Sequence, residues 1–230
     1  MTEGGVDASA LLDEQKIGPL QIRVAALFGT LMVAESFDIQ LIGYLAPTLS
    51  REWSLPQGAM GPVFGAGLFG LLVGAVVFGP LGDRVRRKPI MICATCWFGL
   101  TSLLTVSATS MTELVFWRFV TGVGLGAAIP NLTALTCEYA PRRRRATVIM
   151  VMTVGFSVGS VAAGLSAAQL VPVYGWHRLL YVSFMLSAVL VPLLIVLLPE
   201  SIPVLALRGN QDDRIRAHLA RMSPTLSFPP

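Results

Sequence analysis

An all-α membrane protein, a bundle of six transmembrane helices with both termini in the cytoplasm, is the fold class that three features of this chain predict. The composition is 54% hydrophobic and 13% charged, against roughly 25% charged residues in an average soluble domain. The 230 residues contain six apolar spans, each near the roughly 20 residues that a bilayer requires. Basic residues gather in alternate connections, the pattern of cytoplasmic loops.

Residues 1–20 hold Glu3, Asp7, Asp13 and Glu14 and lack the basic start and cleavage site of a signal peptide. They read as a short cytoplasmic tail. The six-helix domain is expected over 21–200. Its first span, Val24–Pro47, carries Glu35 and Asp38 near its middle. An Asp at a helix centre costs about 2.5 to 3.5 kcal/mol on insertion, so two acids kept there point to use. Spaced i,i+3, they share a helix face about 5–6 Å apart, near enough to titrate as one coupled unit. A proton-carrying site is the expectation.

The second span is Gln57–Gly82, followed by Arg84, Arg86, Arg87 and Lys88. The third is Pro89–Ala108. Its Cys93-Ala-Thr-Cys96 has redox or metal spacing, but it lies within an apolar span with no second ligand pair, so small residues packing a helix is the reading. The fourth is Thr112–Cys137. Counting from its outer end, Arg118 lies about 9 Å deep and Asp38 about 13 Å below the outer end of span one, at 1.5 Å per residue. Two readings of Arg118 stand at this point: a side chain snorkelling to the interface, or a desolvated guanidinium holding a carboxylate.

The fifth span, Ala146–Val171, follows Arg142 to Arg145, and the sixth is Leu179–Leu198. Arg208, Arg214, Arg216 and Arg221 come after it, whereas the opposite loops hold only Arg51 and Arg178. Each basic cluster flanks a span, so the charge reports topology and not nucleic-acid binding. In 201–230, the stretch Asp213–Met222 has apolar residues at helical spacing with basic ones between, and His218 reads as a solvated surface residue.

Glycines four apart, Gly61/Gly65, Gly70/Gly74, Gly122/Gly126 and Gly155/Gly159, fall on single helix faces. In lipid such faces allow close backbone approach, either as plain packing or as surfaces that slide during a conformational change. Gly122-Val-Gly-Leu-Gly126 is no phosphate loop, because no strand precedes it and no G-x-G-x-x-G is completed. Asn131-Leu-Thr133 spells a glycosylation sequon but falls inside a span. No span carries a His/Asp/Ser constellation or a metal-ligand set. Enzymatic activity, a metal and a cofactor are therefore not expected.

Two motifs carry a family resemblance. Gly79-Pro-Leu-Gly-Asp83-Arg84-Val-Arg-Arg87-Lys88 resembles the loop signature G-x-L-a-D-R-x-G-R-K of the major facilitator superfamily, with Arg86 where the family has glycine. Phe116-Trp-Arg118 through Pro130-Asn131 resembles its fourth-helix signature. Glu35-Ser-Phe-Asp38 with Gly43 and Pro47, the Gly79 loop, Ile129-Pro-Asn131 through Glu138-Tyr-Ala-Pro141, and Pro199-Glu-Ser201 resemble the aromatic acid:proton symporters within it. Those symporters show D-G-x-D where this chain has Glu35, Ser36 and Asp38.

The resemblance implies the first six helices of a two-half transporter with its site at the midplane, and 201–230 as the start of the linker between halves. It implies proton-coupled uptake of an aromatic or other organic carboxylate by alternating access. Asp38, sharing a proton with Glu35, would be protonated from outside, and the substrate would bind near Arg118. Gly79, Asp83, Arg84, Arg87 and Lys88 would form a gating latch, with Glu138 and Arg145 at the cytoplasmic end of the fourth helix. The implied partners are the bilayer, a small organic acid, a proton, and a second copy or a separate second-half chain. The implied location is a cell membrane, the bacterial inner membrane. A truncated remnant that transports nothing, or a carrier of sugars or drugs, are the alternatives; the acidic pair disfavours the latter.

Overall fold

The computed structural model describes residues 19–85, 87–139 and 145–198. Six helices account for nearly all of them: α1 (Pro19–Glu52), α2 (Gly61–Arg84), α3 (Arg87–Thr105), α4 (Met111–Tyr139), α5 (Arg145–Tyr174) and α6 (His177–Leu197). All six are long and apolar enough to cross a membrane. The tail, Arg86, Pro141, Arg142 to Arg144, Pro199–Ser201 and the linker stretch lie outside the described residues, as do the side chains of Asp83 and Glu138.

Several helices outrun the spans that hydropathy marks. The first span was expected to end at Pro47, yet α1 continues through it to Glu52. Proline also sits inside α2, α4, α5 and α6, as Pro80, Pro130, Pro172 and Pro192. A proline removes one helix hydrogen bond, and in a membrane helix neighbouring groups make good the loss, so the helix persists. α3 differs the other way. It stops at Thr105, three residues short of the expected Ala108, where Val106, Ser107 and Ala108 turn back in i,i+3 bonds to Leu103, Leu104 and Thr105. The tight α5–α6 connection needs Gly175 at φ +77°, a conformation glycine adopts without strain.

The packing repeats itself. α2 lies against α4 and α5 against α1; α3 lies against α4 and α6 against α1; α3 and α6 meet each other. Exchanging α1–α3 for α4–α6 maps each contact onto another, the relation of inverted repeats within a six-helix half. Two of these pairings are glycine-mediated. A Cβ on Gly70 or Gly74 would run into the carbonyls of Phe119 and Val123, and one on Gly122 or Gly126 into those of Gly67 and Leu71. Gly155 and Gly159 meet the carbonyls of Gly29 and Val33 in the same way. Gly61 and Gly65 differ from the expectation, since nothing lies within 4 Å of a Cβ at either. Four-residue spacing puts two glycines on one face but does not choose the face that meets a neighbour.

Besides a small one of Ala94, Ala127 and Ala128, two large apolar clusters form the core. One joins Val24, Phe28 and Leu31 to Met91, Leu194 and Leu198, so the described chain enters and leaves at one end of the bundle. The other joins Phe37, Leu41 and Leu45 to Leu114, Trp176 and Leu179 at the opposite end. Between them lies a layer of buried polar side chains, Glu35, Ser36, Asp38, Ser102, Arg118 and Ser183. The functional question concentrates in that layer.

Candidate functional site

Asp38 is the hub of the polar layer. Its Oδ2 accepts from Arg118 Nη1 at 3.0 Å, and its Oδ1 accepts from Ser102 Oγ at 2.6 Å and Ser183 Oγ at 2.7 Å. Arg118 Nη2 also donates to the Asp38 main-chain oxygen at 3.4 Å. One carboxylate thus ties α1 to α3, α4 and α6. Asp38 is 0% exposed and Arg118 5%, so the guanidinium is turned into the bundle and does not snorkel. A buried ion pair is tolerable when further hydrogen bonds fill the remaining lone pairs, and the two serines do this.

Glu35 has a different environment. It is equally buried, yet neither carboxyl oxygen has a hydrogen-bond partner, and Ser36 Oγ lacks one as well. No hydrogen bond therefore joins the two acids. The reason is rotational: three residues at about 100° each leave the side chains about 60° apart around α1. Asp38 meets the hydroxyls and the arginine, and Glu35 does not. A buried carboxyl without a hydrogen-bond partner is costly to keep.

A cavity of about 250 Å³ opens beside the ion pair, between α1, α2 and α4. Ile39, Gln40, Gly43, Phe64, Gly67 and Arg118 are among its walls. Arg118 Nε, buried and without a partner, leaves this guanidinium one donor in reserve. Gln40 Nε2 donates to Ser160 Oγ of α5 at 3.2 Å, and Tyr44 Oη donates to the Ser160 carbonyl at 3.5 Å.

The loop-signature residues lie at the other level. Arg84 ends α2, and Arg87 and Lys88 begin α3. Lys88 is fourteen residues from Ser102, so about 21 Å separates the loop from the polar layer along α3. Lys88 Nζ donates to the carbonyls of Ile195 at 3.0 Å and Leu198 at 2.5 Å, capping the end of α6 as a cation does at a helix C-terminus. Gly79 abuts the Pro130 ring, and a Cβ on Gly82 would overlap the Asn131 side chain. Asn131 Nδ2 donates to Phe78 O at 3.1 Å and Ala127 O at 2.8 Å, so the end of α2 is tied to α4 by the residue that spelled a sequon. Arg145 begins α5. Cys93 and Cys96 are exposed and unbonded, and the described residues contain no cluster of metal-binding side chains.

Sequence reasoning missed Ser102, Ser183, Gln40 and Ser160. Single hydroxyls in apolar helices usually bond back to their own backbone, as Thr95 and Thr105 do here, and nothing in the sequence separates the exceptions. Gln40 alone offered a signal, an amide two residues beyond Asp38 in an otherwise apolar run.

A family model described as Major Facilitator Superfamily matches residues 28–225. A 4-hydroxybenzoate transporter of Pseudomonas aeruginosa is 37% identical over 219 residues, 95% of this chain and 49% of the relative. A gallate transporter of Pseudomonas putida is 38% identical over 217 residues, covering 94% and 48%. A 3-(3-hydroxy-phenyl)propionate transporter of Escherichia coli is 43% identical over 170 residues, covering 73% and 41%. The chain thus spans about half the length of the curated relatives it matches. Among solved structures, the proton:xylose symporter XylE superposes with a TM-score of 0.74 at 17% identity, over 88% of this chain and 50% of that one. An inward-facing bacterial homologue of the lysosomal transporter Spinster gives 0.68 at 17% identity, over 81% and 46%. At such identities the likeness is one of fold.

Proposed function

The chain belongs to the major facilitator superfamily and is a multi-pass membrane protein, and from that premise we propose that it forms the proton-coupled, carboxylate-binding half of an aromatic acid carrier in a bacterial inner membrane. One observation carries this reading: a buried arginine, held by a buried aspartate, lines a cavity and keeps a donor unpaired. Relatives named for 4-hydroxybenzoate and gallate transport support the aromatic acid. A guanidinium can hold a carboxylate through two parallel bonds, and sugars offer no such partner.

Charge balance supplies the coupling. At rest, Arg118 and Asp38 cancel, and a neutral Glu35 adds nothing. A substrate carboxylate arriving at Arg118 would leave the layer with one uncompensated negative charge in a medium that stabilises it poorly. A proton on Asp38 restores neutrality and frees Arg118 to hold the substrate. Glu35, one turn away on α1, is the group from which that proton is passed and which is recharged from outside. One proton then accompanies each singly charged substrate. The loaded, neutral site lets the helices rock, and both ions leave on the other side. The Gly70/Gly74, Gly122/Gly126 and Gly155/Gly159 contacts are the smooth surfaces on which that rocking proceeds, and the loop from Gly79 through Asp83 and Arg84 to Arg87 and Lys88 is its latch. A second six-helix half supplies the facing wall.

The test is uptake of labelled 4-hydroxybenzoate by cells producing this chain, with an inward proton gradient and with the gradient collapsed by an uncoupler. Accumulation with the gradient alone is the expected result. Equal uptake under both conditions would remove the proton from the mechanism, and no uptake in either, by this chain together with its facing half, would remove the carrier.

A further inference from the structure

Beside Arg118, the cavity has one other polar side chain among the described residues that line it, Gln40; the remainder are glycines and apolar residues such as Ile42, Val63, Leu68 and Leu125. We infer that Gln40, oriented by Ser160, is the residue that reads a hydroxyl on the substrate's ring, so that the site prefers hydroxylated aromatic acids to unsubstituted ones. This rests on the carrier reading above and adds a selectivity to it.

Position is the first argument. Arg118 reaches the main-chain oxygen of Asp38. Gln40 and Tyr44 lie two and six residues further along α1, about 3 Å and about 9 Å along its axis. A carboxylate on Arg118 therefore places the far side of its ring against this stretch. Gly43 also lines the cavity, and a Cβ there would meet nothing within 4 Å. The space a side chain would take is open to a flat ring.

Chemistry is the second. The Gln40 amide has two ends, and Ser160 Oγ engages one at 3.2 Å. The other end has no partner among the described residues, and Tyr44, one turn on, is 42% exposed with its hydroxyl directed to the Ser160 carbonyl. A half-satisfied amide at this depth is poorly matched to lipid and well matched to a polar ligand. A phenolic hydroxyl both donates and accepts, so it satisfies whichever amide end faces it. An acid without the hydroxyl leaves that end unpaired, and a site built to bond a hydroxyl discriminates on that ground.

The experiment compares initial uptake of labelled 4-hydroxybenzoate and benzoate at low concentration in cells producing the full chain, unaltered or carrying Gln40→Leu, Gln40→Met or Ser160→Ala. The unaltered protein is expected to prefer 4-hydroxybenzoate. Both Gln40 variants should cut the ratio of the two rates about tenfold, the effect of losing one well-formed hydrogen bond. Ser160→Ala should cut it less, by loosening the amide. A variant missing from the membrane fraction is replaced in the comparison by another of the three, because all shift the ratio in one direction. Uptake of both acids at an unchanged ratio in the inserted variants would overturn the role of Gln40 and leave the carrier standing. Uptake of neither acid by the unaltered protein together with its facing half would overturn both.

Discussion

The two three-helix repeats are alike in backbone and unlike in charge. Gly155 and Gly159 of α5 approach Gly29 and Val33 of α1, as Gly70 and Gly74 of α2 approach Phe119 and Val123 of α4. Carried along the helices, this equivalence pairs Glu35 with Leu125, Asp38 with Ala128 and Arg118 with Phe28, all buried. The same packing position accepts an acid in one repeat and an apolar residue in the other. The fold therefore makes no demand for the charges, and a cost borne without structural need fits the carrier function proposed above.

The comparison breaks first if the shared backbone is not what holds the bundle. Gly74→Val and its counterpart Gly159→Val should each prevent a folded bundle from accumulating, because the added atoms meet main-chain carbonyls that cannot yield. Gly61→Ala, with open space around it, should be neutral. Extraction in mild detergent followed by gel filtration reads all three. A stable Gly159→Val protein would mean that the repeats do not share their packing.

It sharpens next at the ion pair. Arg118→Leu alone strands a buried Asp38 and should destabilise the protein by about 3–5 kcal/mol. The pair Asp38→Leu with Arg118→Leu imitates the apolar layer of the other repeat and should recover most of that loss in thermal unfolding, while uptake stays absent. If the double replacement unfolds as readily as the single one, the charges are structural after all.

The smallest expected effect is at the hydroxyls. Ser102→Ala and Ser183→Ala each remove one donor from Asp38 Oδ1, worth about 1.5–3 kcal/mol to a charged acceptor. Both should lower thermal stability by similar amounts. A loss confined to one would show that the carboxylate leans on a single helix.

How much of this was legible depends on the kind of signal. Hydropathy marks membrane helices well because lipid tolerates so little else, and all six were found. Their ends were not, since Pro47 reads as a stop by the rules of water and is only an interruption in lipid. Asp38 and Arg118 could be matched by depth, as both are rare residues at this level and a pair is the cheapest arrangement. Ser102 and Ser183 could not, for a lone hydroxyl looks the same whether it bonds to its own helix or across to another. Spacing placed Glu35 and Asp38 on one face, but it could not show that the hydroxyls and the arginine meet Asp38 and not Glu35, a difference that about 60° of helix rotation makes.

Counting protons against substrate tests the central claim most directly. With the protein in vesicles, alkalinisation of a weakly buffered exterior and uptake of labelled 4-hydroxybenzoate can be recorded together. One proton per molecule is predicted for the unaltered chain, and Asp38→Asn should insert normally but show neither proton movement nor gradient-driven accumulation. Undiminished proton-coupled uptake by Asp38→Asn would contradict the account.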